Sequence, residues 1–531
     1  MEKLKSLLKK PLPYISLAIL LLIAFVSKKV TYLSAEPVGE KECPPVYPEQ
    51  DAQATTTAEM EQAGANVPWE QRGGTINDAS CLDETKVYGI VKVTKEEDII
   101  KALAFANEKN LKVSIAGVKH SMGGHAFFKN AIVLDMTVFN KVEINETAKT
   151  MTVQSGATWH DIQKLLHPKF AVKAMQSTDI FTVGGSISVN AHGMDHTAGS
   201  VGRTIQSLRL ITPEGEIKKV SRTENPELFS MVIGGYGLFG IVLDAEIEIT
   251  ENVVYQSERQ VINYKEFPEV FNSDILPDEK IGLFYGHLST SPGSFLKEMI
   301  LYTYNHVEDP EAQIPELGEV SNEKLRRFVM NFSKRGSIPM RIKWFAEKYI
   351  EPRIESCTVV SRNQALTEGE ACLVSRNEPM HDSVKYLKNN LKNDTDILQE
   401  YFIPRDQFVS FIDEIRTIMQ KNNTNLLNAS IRVVHKEDNF LNYAPADAFA
   451  VVLYINQTTD EAGNAKIAKL TQELIDVTVK HNGRFFLPYQ LHYTAEQLAA
   501  SYPEIDQFFA AKKKYDPQLR LTNTFYNKYS Q

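Results

Sequence analysis

The segment Ser114-Ile-Ala-Gly-Val-Lys-His-Ser-Met-Gly-Gly124 decides how the rest of the chain is read. Lys112 to Ala116 has the character of a strand, and a glycine-containing loop follows at once. Glycine lets backbone N–H groups approach an anion closely, and successive N–H groups form a concavity suited to a pyrophosphate. One loop of this kind is a weak signal, because any tight turn uses glycine. Two more glycine-dense segments follow in order, Thr182-Val-Gly-Gly-Ser-Ile-Ser-Val-Asn-Ala-His-Gly193 and Gly234-Gly-Tyr-Gly-Leu-Phe-Gly-Ile-Val242. Three such turns at similar intervals are hard to explain as ordinary hairpin connections.

The flanking pattern is that of a mixed domain. Val87 to Val93 alternates as a strand does, and Thr94 with Glu97 forms a capping-box signature. Ile99, Ile100, Leu103 and Ala106 recur at helical spacing. Ala131 to Asp135 reads as a strand, Lys141–Asn145 with Met151–Gln154 as a hairpin, and Thr158 as the cap of a helix through His167. A second stretch of this kind runs from Ile205 to Thr250 and ends in the strand Val242–Ile249. Beyond it, Ile281–Leu288, Met299–Tyr304, Ile431–Val434 and Ala450–Ile455 read as an antiparallel sheet. The helices expected between its strands include Asp406–Lys421 and Ala465–Asn482. No G-x-G-x-x-G follows the first strand with an acidic residue ~20 positions on, and no P-loop, H-E-x-x-H or G-x-S-x-G motif is present.

At 531 residues, 43% hydrophobic and 24% charged, the chain is globular and long enough for more than one core. A formal net charge of -9 leaves no basic surplus for a phosphate backbone, so nucleic acid is not an expected partner. Lys3, Lys5, Lys9 and Lys10 precede the apolar run Leu12–Val26, and Lys28 and Lys29 follow it. Residues 1–30 therefore read as a signal peptide or membrane anchor, with the N-terminus in the cytoplasm and the body outside it. No small-x-small site follows the run directly, so cleavage stays open. Residues 31–80 read as a tether. Cys43, Cys81, Cys357 and Cys372 allow two local disulfides in an oxidising compartment, or buried thiols.

These segments, together with Leu134-Asp-Met136 and Val153-Gln-Ser-Gly-Ala-Thr-Trp-His-Asp-Ile-Gln-Lys-Leu-Leu166, resemble the FAD-binding domain of the vanillyl-alcohol-oxidase (PCMH-type) superfamily. Within it the chain is most similar to the alditol oxidase, aldonolactone oxidase and cytokinin dehydrogenase group. The C-terminal Tyr515-Asp-Pro to Leu521-Thr-Asn-Thr-Phe-Tyr-Asn-Lys-Tyr529 resembles the ending of the sugar-oxidising members, with Leu521 in place of an aromatic. The resemblance covers Lys86 to Thr250 and the last 50 residues best. It implies an α+β fold: a two-lobed FAD-binding domain over 81–250, a cap of antiparallel sheet and helices over 251–480, and a C-terminal segment, 481–531, returning to the FAD domain.

The resemblance also implies a cofactor and its contacts. Gly117, Val118, Lys119, Ser121 and Gly124 would cradle the pyrophosphate of FAD. Gly184, Gly185, Ser186, Ala191, His192 and Gly193 would line the other side and the isoalloxazine, with Ile241 and Val242 near the adenine end. His120 stands where relatives carry a histidine joined covalently to the flavin 8α carbon; the bland alternative is a hydrogen-bonding histidine. No cysteine lies at Ile180–Val183, so a second bond is not expected. Asp179 matches the cytokinin dehydrogenase base and competes with a turn-capping role. Arg432 matches a substrate-binding cap arginine, and His492 a basic residue close to the flavin; a shifted register would put Tyr489 or Gln490 there instead.

The expected function is FAD-dependent oxidation of a polar hydroxylated small molecule, of sugar alcohol or lactone type, with oxygen or another acceptor reoxidising the flavin. The alternatives are a cytokinin-dehydrogenase-like amine oxidation with Asp179 as base, a sugar epimerase half-reaction, and a surface flavoprotein without a substrate. No metal is expected.

Overall fold

The computed structural model describes residues 11–35, 64–309, 312–318, 323–350, 373–381, 391 and 393–531; for 11–20 and 22 it describes the backbone alone. The sequence between 36 and 63, with Cys43, Cys357 and Cys372, lies outside these residues. Cys81 is disulfide-bonded.

The first lobe is built on two sheets. In one, Gly89–Lys92 and Val113–Ala116 flank Ile132–Asp135 in parallel, and Trp69–Arg72 adds antiparallel at the edge. The helix Glu96–Glu108 covers this sheet with Ile99, Ala102, Leu103 and Ala106; Ile100, read from the sequence as part of this stripe, is exposed, and Ala102 takes its place. Its cap lies one residue from the expected position. Lys95 is the N-cap, and the Asp98 carboxylate, not Glu97, accepts from the Thr94 and Lys95 backbone N–H groups at 2.9 and 3.2 Å. The second sheet is antiparallel, with Ile241–Glu251 at its centre beside Ile205–Ile211 and Thr150–Gln154. The hairpin Val142–Asn145 with Thr150–Gln154 forms as expected. So does the Thr158 cap, whose Oγ1 accepts from the Asp161 N–H at 3.2 Å.

The second lobe is an eight-stranded antiparallel sheet. Its order is Leu373–Ser375, Val254–Asn263, Glu298–His306, Ile281–Leu288, Asn425–Val434, Ala448–Thr458, Asp394–Pro404 and Arg484–Phe485. The helices Phe408–Lys421 and Glu461–Lys480 are joined to the sheet through one core, in which Phe408, Phe411, Ile415, Leu470 and Leu474 meet Phe267, Phe284, Phe449 and Leu453. That core runs on without a break into the first lobe through Trp159, Ile187 and Phe239.

The chain then returns. Val113 N–H donates to the Arg520 carbonyl at 2.8 Å and Thr522 N–H to the Val113 carbonyl at 2.9 Å, so residues 520–522 extend the edge of the first sheet. Leu521 is fully buried there, in an aliphatic cluster with Val113 and Ile241. Asn523 caps the last helix, Thr524–Tyr529, and donates its amide to the Tyr236 carbonyl at 2.9 Å. The C-terminus thereby braces two of the three glycine segments.

Among the described residues no helix is long and apolar enough to cross a membrane. The run Leu12–Val26 lies in the helix Pro11–Ser34, and most of its side chains fall outside the described set.

Candidate active site

The three glycine segments converge. A Cβ on Gly117 would sit 2.1 Å from Thr182 Oγ1, so the first segment touches the second. Gly234 N–H donates to the Ile187 carbonyl at 3.0 Å and Tyr236 N–H to the Ser188 carbonyl at 2.9 Å, so the third is bonded to the second. Tyr236 at φ 54° and Gly237 at φ 72° make the left-handed turn that lets the chain come this close.

Between the lobes these segments wall a cavity of about 610 Å³. Gly117, Val118, Lys119, His120 and Ser121 line it from the first segment. Gly184, Gly185, Ala191 and His192 line it from the second, and Tyr236, Gly237, Gly240 and Val242 from the third. His120 meets Phe181 edge-on, ring centroids 5.3 Å apart.

Other expected contacts stand behind the wall. Gly124 N–H donates to Asp78 Oδ2 at 3.1 Å, and a Cβ there would meet Thr524. Ser186 is fully buried, its hydroxyl accepting from Trp159 Nε1 at 2.9 Å and donating to Gln176 Oε1 at 2.7 Å. Gly193 admits the Met175 carbonyl, which a Cβ would meet at 1.9 Å. Ile241 is buried in the core of the first sheet. These four hold the cavity's shape and do not line it.

The cap sheet forms the roof, and the period of a strand explains which residues face down. From Asp394–Pro404 come Asp394, Asp396, Leu398 and Glu400; from Asn425–Val434, Asn428, Ser430 and Arg432; from Ala448–Thr458, Val452 and Tyr454. Glu400 and Ser430 both pair with Val452, so they share one face two strands apart. Lys334 Nζ lies 3.1 Å from Asp394 and 2.6 Å from Asp396. Burial raises the Asp396 carboxyl, and Lys334 works against that rise.

At the seam of the lobes, His192 Nε2 and Glu400 Oε1 are 2.6 Å apart and both side chains are 4% exposed. Glu400 Oε2 also accepts from the Tyr489 hydroxyl at 3.3 Å. Arg432 faces the same cavity; burial lowers its guanidinium, and the nearby Glu400 carboxylate offsets part of the effect. Glu400 was missed in the sequence. Its signal was a carboxylate in phase with Asp394 and Asp396 just before the apolar run Tyr401–Ile403, where a buried acid needs a partner. His125 also lines the cavity; burial pushes it down to about 4, so it is neutral at ordinary pH.

Asp179 and His492 lie off the cavity lining. The Asp179 side chain has no exposed surface; its Oδ2 is 2.6 Å from His160 Nδ1 and 3.0 Å from His381 Nδ1, the two rings stacked 4.6 Å apart. Burial raises its carboxyl, but hydrogen bonds from the two histidines outweigh that and hold it below the usual range. Among the described residues this is the one His/Asp group of metal-ligand composition. Its direct hydrogen bonds occupy the centre, so a cation would have to spread the ligands. His492 is pushed down to about 4 by burial, with Lys528 adding to the effect. The residues facing the cavity from its segment are Pro488 and Tyr489, while Gln490 is buried outside the lining. Tyr489 thus holds the position first assigned to His492.

The arrangement suits FAD. The backbone concavity is closed by glycines, the volume is within the ~300–1,000 Å³ range of ligand pockets, and His192 Nδ1 is a buried polar atom on its wall without a hydrogen-bond partner among the described residues. The class defined by this fold and cleft is a dinucleotide flavoprotein with a capped substrate chamber. The comparisons agree. Residues 88–221 match the FAD binding domain family and residues 298–529 the D-arabinono-1,4-lactone oxidase family. Decaprenylphosphoryl-beta-D-ribose oxidase of Mycolicibacterium smegmatis is 24% identical over 81% of this chain and 92% of its own length. Cytokinin dehydrogenase 2 of Arabidopsis thaliana is 32% identical over 30% of this chain and 32% of its own length. D-arabinono-1,4-lactone oxidase of Candida glabrata is 25% identical over 33% and 35%. The chain is an FAD-dependent oxidoreductase, similar in sequence to PCMH-type enzymes that include an aldonolactone oxidase and a cytokinin dehydrogenase.

Proposed function

We propose that this enzyme oxidises a secondary alcohol of a small cyclic sugar or aldonolactone to the carbonyl. FAD held along the glycine segments would supply the electron sink for hydride from the carbinol carbon. The chain's own residues supply the rest. Glu400, hydrogen-bonded to His192, accepts the hydroxyl proton. Arg432 donates to the oxygen where negative charge develops. Asn428, Ser430 and Tyr489 bind the remaining hydroxyls. The observation that carries this reading is the His192–Glu400 pair beside Arg432 on one cavity wall. A buried carboxylate, histidine and guanidinium around one chamber form an acid–base set with an orienting cation. The relatives' names point to a ribose derivative and to D-arabinono-1,4-lactone, both hydroxylated five-carbon sugars. Anaerobic mixing with a panel of aldonolactones, alditols and ribosides tests it: the true class bleaches the flavin, and bleaching by cytokinin-type amines alone would overturn the alcohol assignment.

His120 faces the cavity and belongs to the Gly-x-x-His-Ser loop, which supports its attachment to the flavin 8α carbon. The disulfide at Cys81 and the lysine-flanked apolar run favour a body outside the cytoplasm, held or exported by the N-terminal segment. Dioxygen or another acceptor closes the cycle.

A further inference from the structure

Exposed large hydrophobic side chains are not spread evenly over this molecule. Of the 19 among the described residues, 12 fall within 21–32 and 325–350. The helix Ser337–Tyr349 carries a single stripe of them: Ile338 is 70% exposed, Ile342 53%, Phe345 56% and Tyr349 53%. Those positions are one face of a 3.6-residue helix. The opposite face carries Met340, Lys343 and Trp344 into the protein, where Trp344 Nε1 donates to Glu298 Oε2 at 2.7 Å. The preceding helix, Glu323–Ser333, exposes Leu325 and packs against Pro11–Ser34, Asn331 Nδ2 donating to the Leu33 carbonyl at 2.9 Å. Leu21, Ile23, Phe25 and Val26 continue the apolar surface along the N-terminal helix.

The charge around this surface runs against the rest of the chain. Of the eight lysines and arginines in residues 323–350, Lys324, Arg335 and Arg341 are exposed and Arg326 half-buried, while Arg327 is buried and Lys334, Lys343 and Lys348 are paired with carboxylates, in a protein of formal net charge -9. Arg335 and Arg341 are exposed on the turn and on the striped helix, with Lys28 and Lys29 exposed on the N-terminal one.

We propose that residues 323–350 form a membrane-docking platform that lies in the interface of an anionic bilayer. An apolar helical stripe flanked by basic residues is what such an interface binds, the stripe reaching the acyl boundary and each cation meeting the headgroup potential. A second copy of this chain fits the surface less well, since two basic faces would repel. Met330 belongs to this platform and also lines the cavity, so docking sets the cap-side end of the substrate chamber beside the bilayer. The proposal is independent of the chemistry assigned to the cavity.

The test uses the full-length holoenzyme carrying Phe345→Trp, reconstituted into vesicles of phosphatidylcholine with or without phosphatidylglycerol, the lipids brominated in their chains. Emission is compared with the parent protein, whose Trp344 is buried. The expected result is at least an about twofold quenching of the added emission in the anionic vesicles, reversed by adding Arg335→Glu with Arg341→Glu. Vesicles that carry the protein through its N-terminus while the introduced tryptophan stays unquenched would overturn it. So would a dimer, seen by sedimentation, that shields the new side chain from the bilayer.

Discussion

His192, from the second glycine segment, and Glu400, from a cap strand, approach to 2.6 Å across the seam between the lobes. One group belongs to the first lobe and the other to the cap, so the contact can form only when the two lobes are closed on each other. Glu400→Gln keeps the shape and one acceptor and removes the charge. It should lower kcat/KM by about a hundredfold to ten-thousandfold, the usual range for a lost general base. Anaerobic rates of flavin bleaching measure this directly, and an unchanged rate would remove Glu400 from the chemistry.

Arg432 offers a planar fork of donors to the chamber. Arg432→Lys keeps a charge but loses the fork. It should raise KM and lower kcat together, by about tenfold or more overall, since a charge-assisted hydrogen bond is worth ~1.5–3 kcal/mol. Steady-state kinetics with the preferred sugar separate this outcome from simple misfolding, which would lower active-site content without moving KM.

His120→Ala should release the yellow colour into the supernatant when the protein is precipitated with acid, while the native enzyme keeps it in the pellet. A native supernatant that turns yellow would reduce His120 to a noncovalent contact.

Gly117→Ala places a methyl group 2.1 Å from Thr182 Oγ1 and must push the first two glycine segments apart. FAD content of the purified variant should fall severalfold, measured by absorbance against protein, with the far-ultraviolet circular dichroism little changed.

Asp179→Asn should act on stability and leave the acid–base chemistry intact. The carboxylate joins His160 of the first lobe to His381 of the cap and lies off the cavity. Loss of one partner in a buried ionic group costs about 3 kcal/mol. Its carboxyl is depressed in the folded state, so the contribution is complete above the ordinary value of 3.8 and fades as pH falls through the folded value. Denaturant midpoints should therefore differ between the two proteins at neutral pH and converge in acid. A loss of kcat with unchanged stability would restore Asp179 as a base.

Much of this was legible in the residues. The glycine segments, the strand at Val113–Ala116 and the Thr158 cap are local patterns, because a turn, a pleat and a cap are decided within a few residues. The misplaced cap at Lys95 and the misassigned His492 are errors of register. In each case several polar side chains competed for one place, and sequence spacing does not rank them.

The sequence alone determined which segments would wall the cavity, since only small residues permit backbones to approach so closely. It did not determine which acid would line the cavity. Asp179 and Glu400 are both carboxylates near histidines, and only the closure of cap on FAD lobe turns one into the core and the other into the chamber. That choice belongs to tertiary structure because a side chain's solvent, partners and charge are set by residues more than 200 positions away.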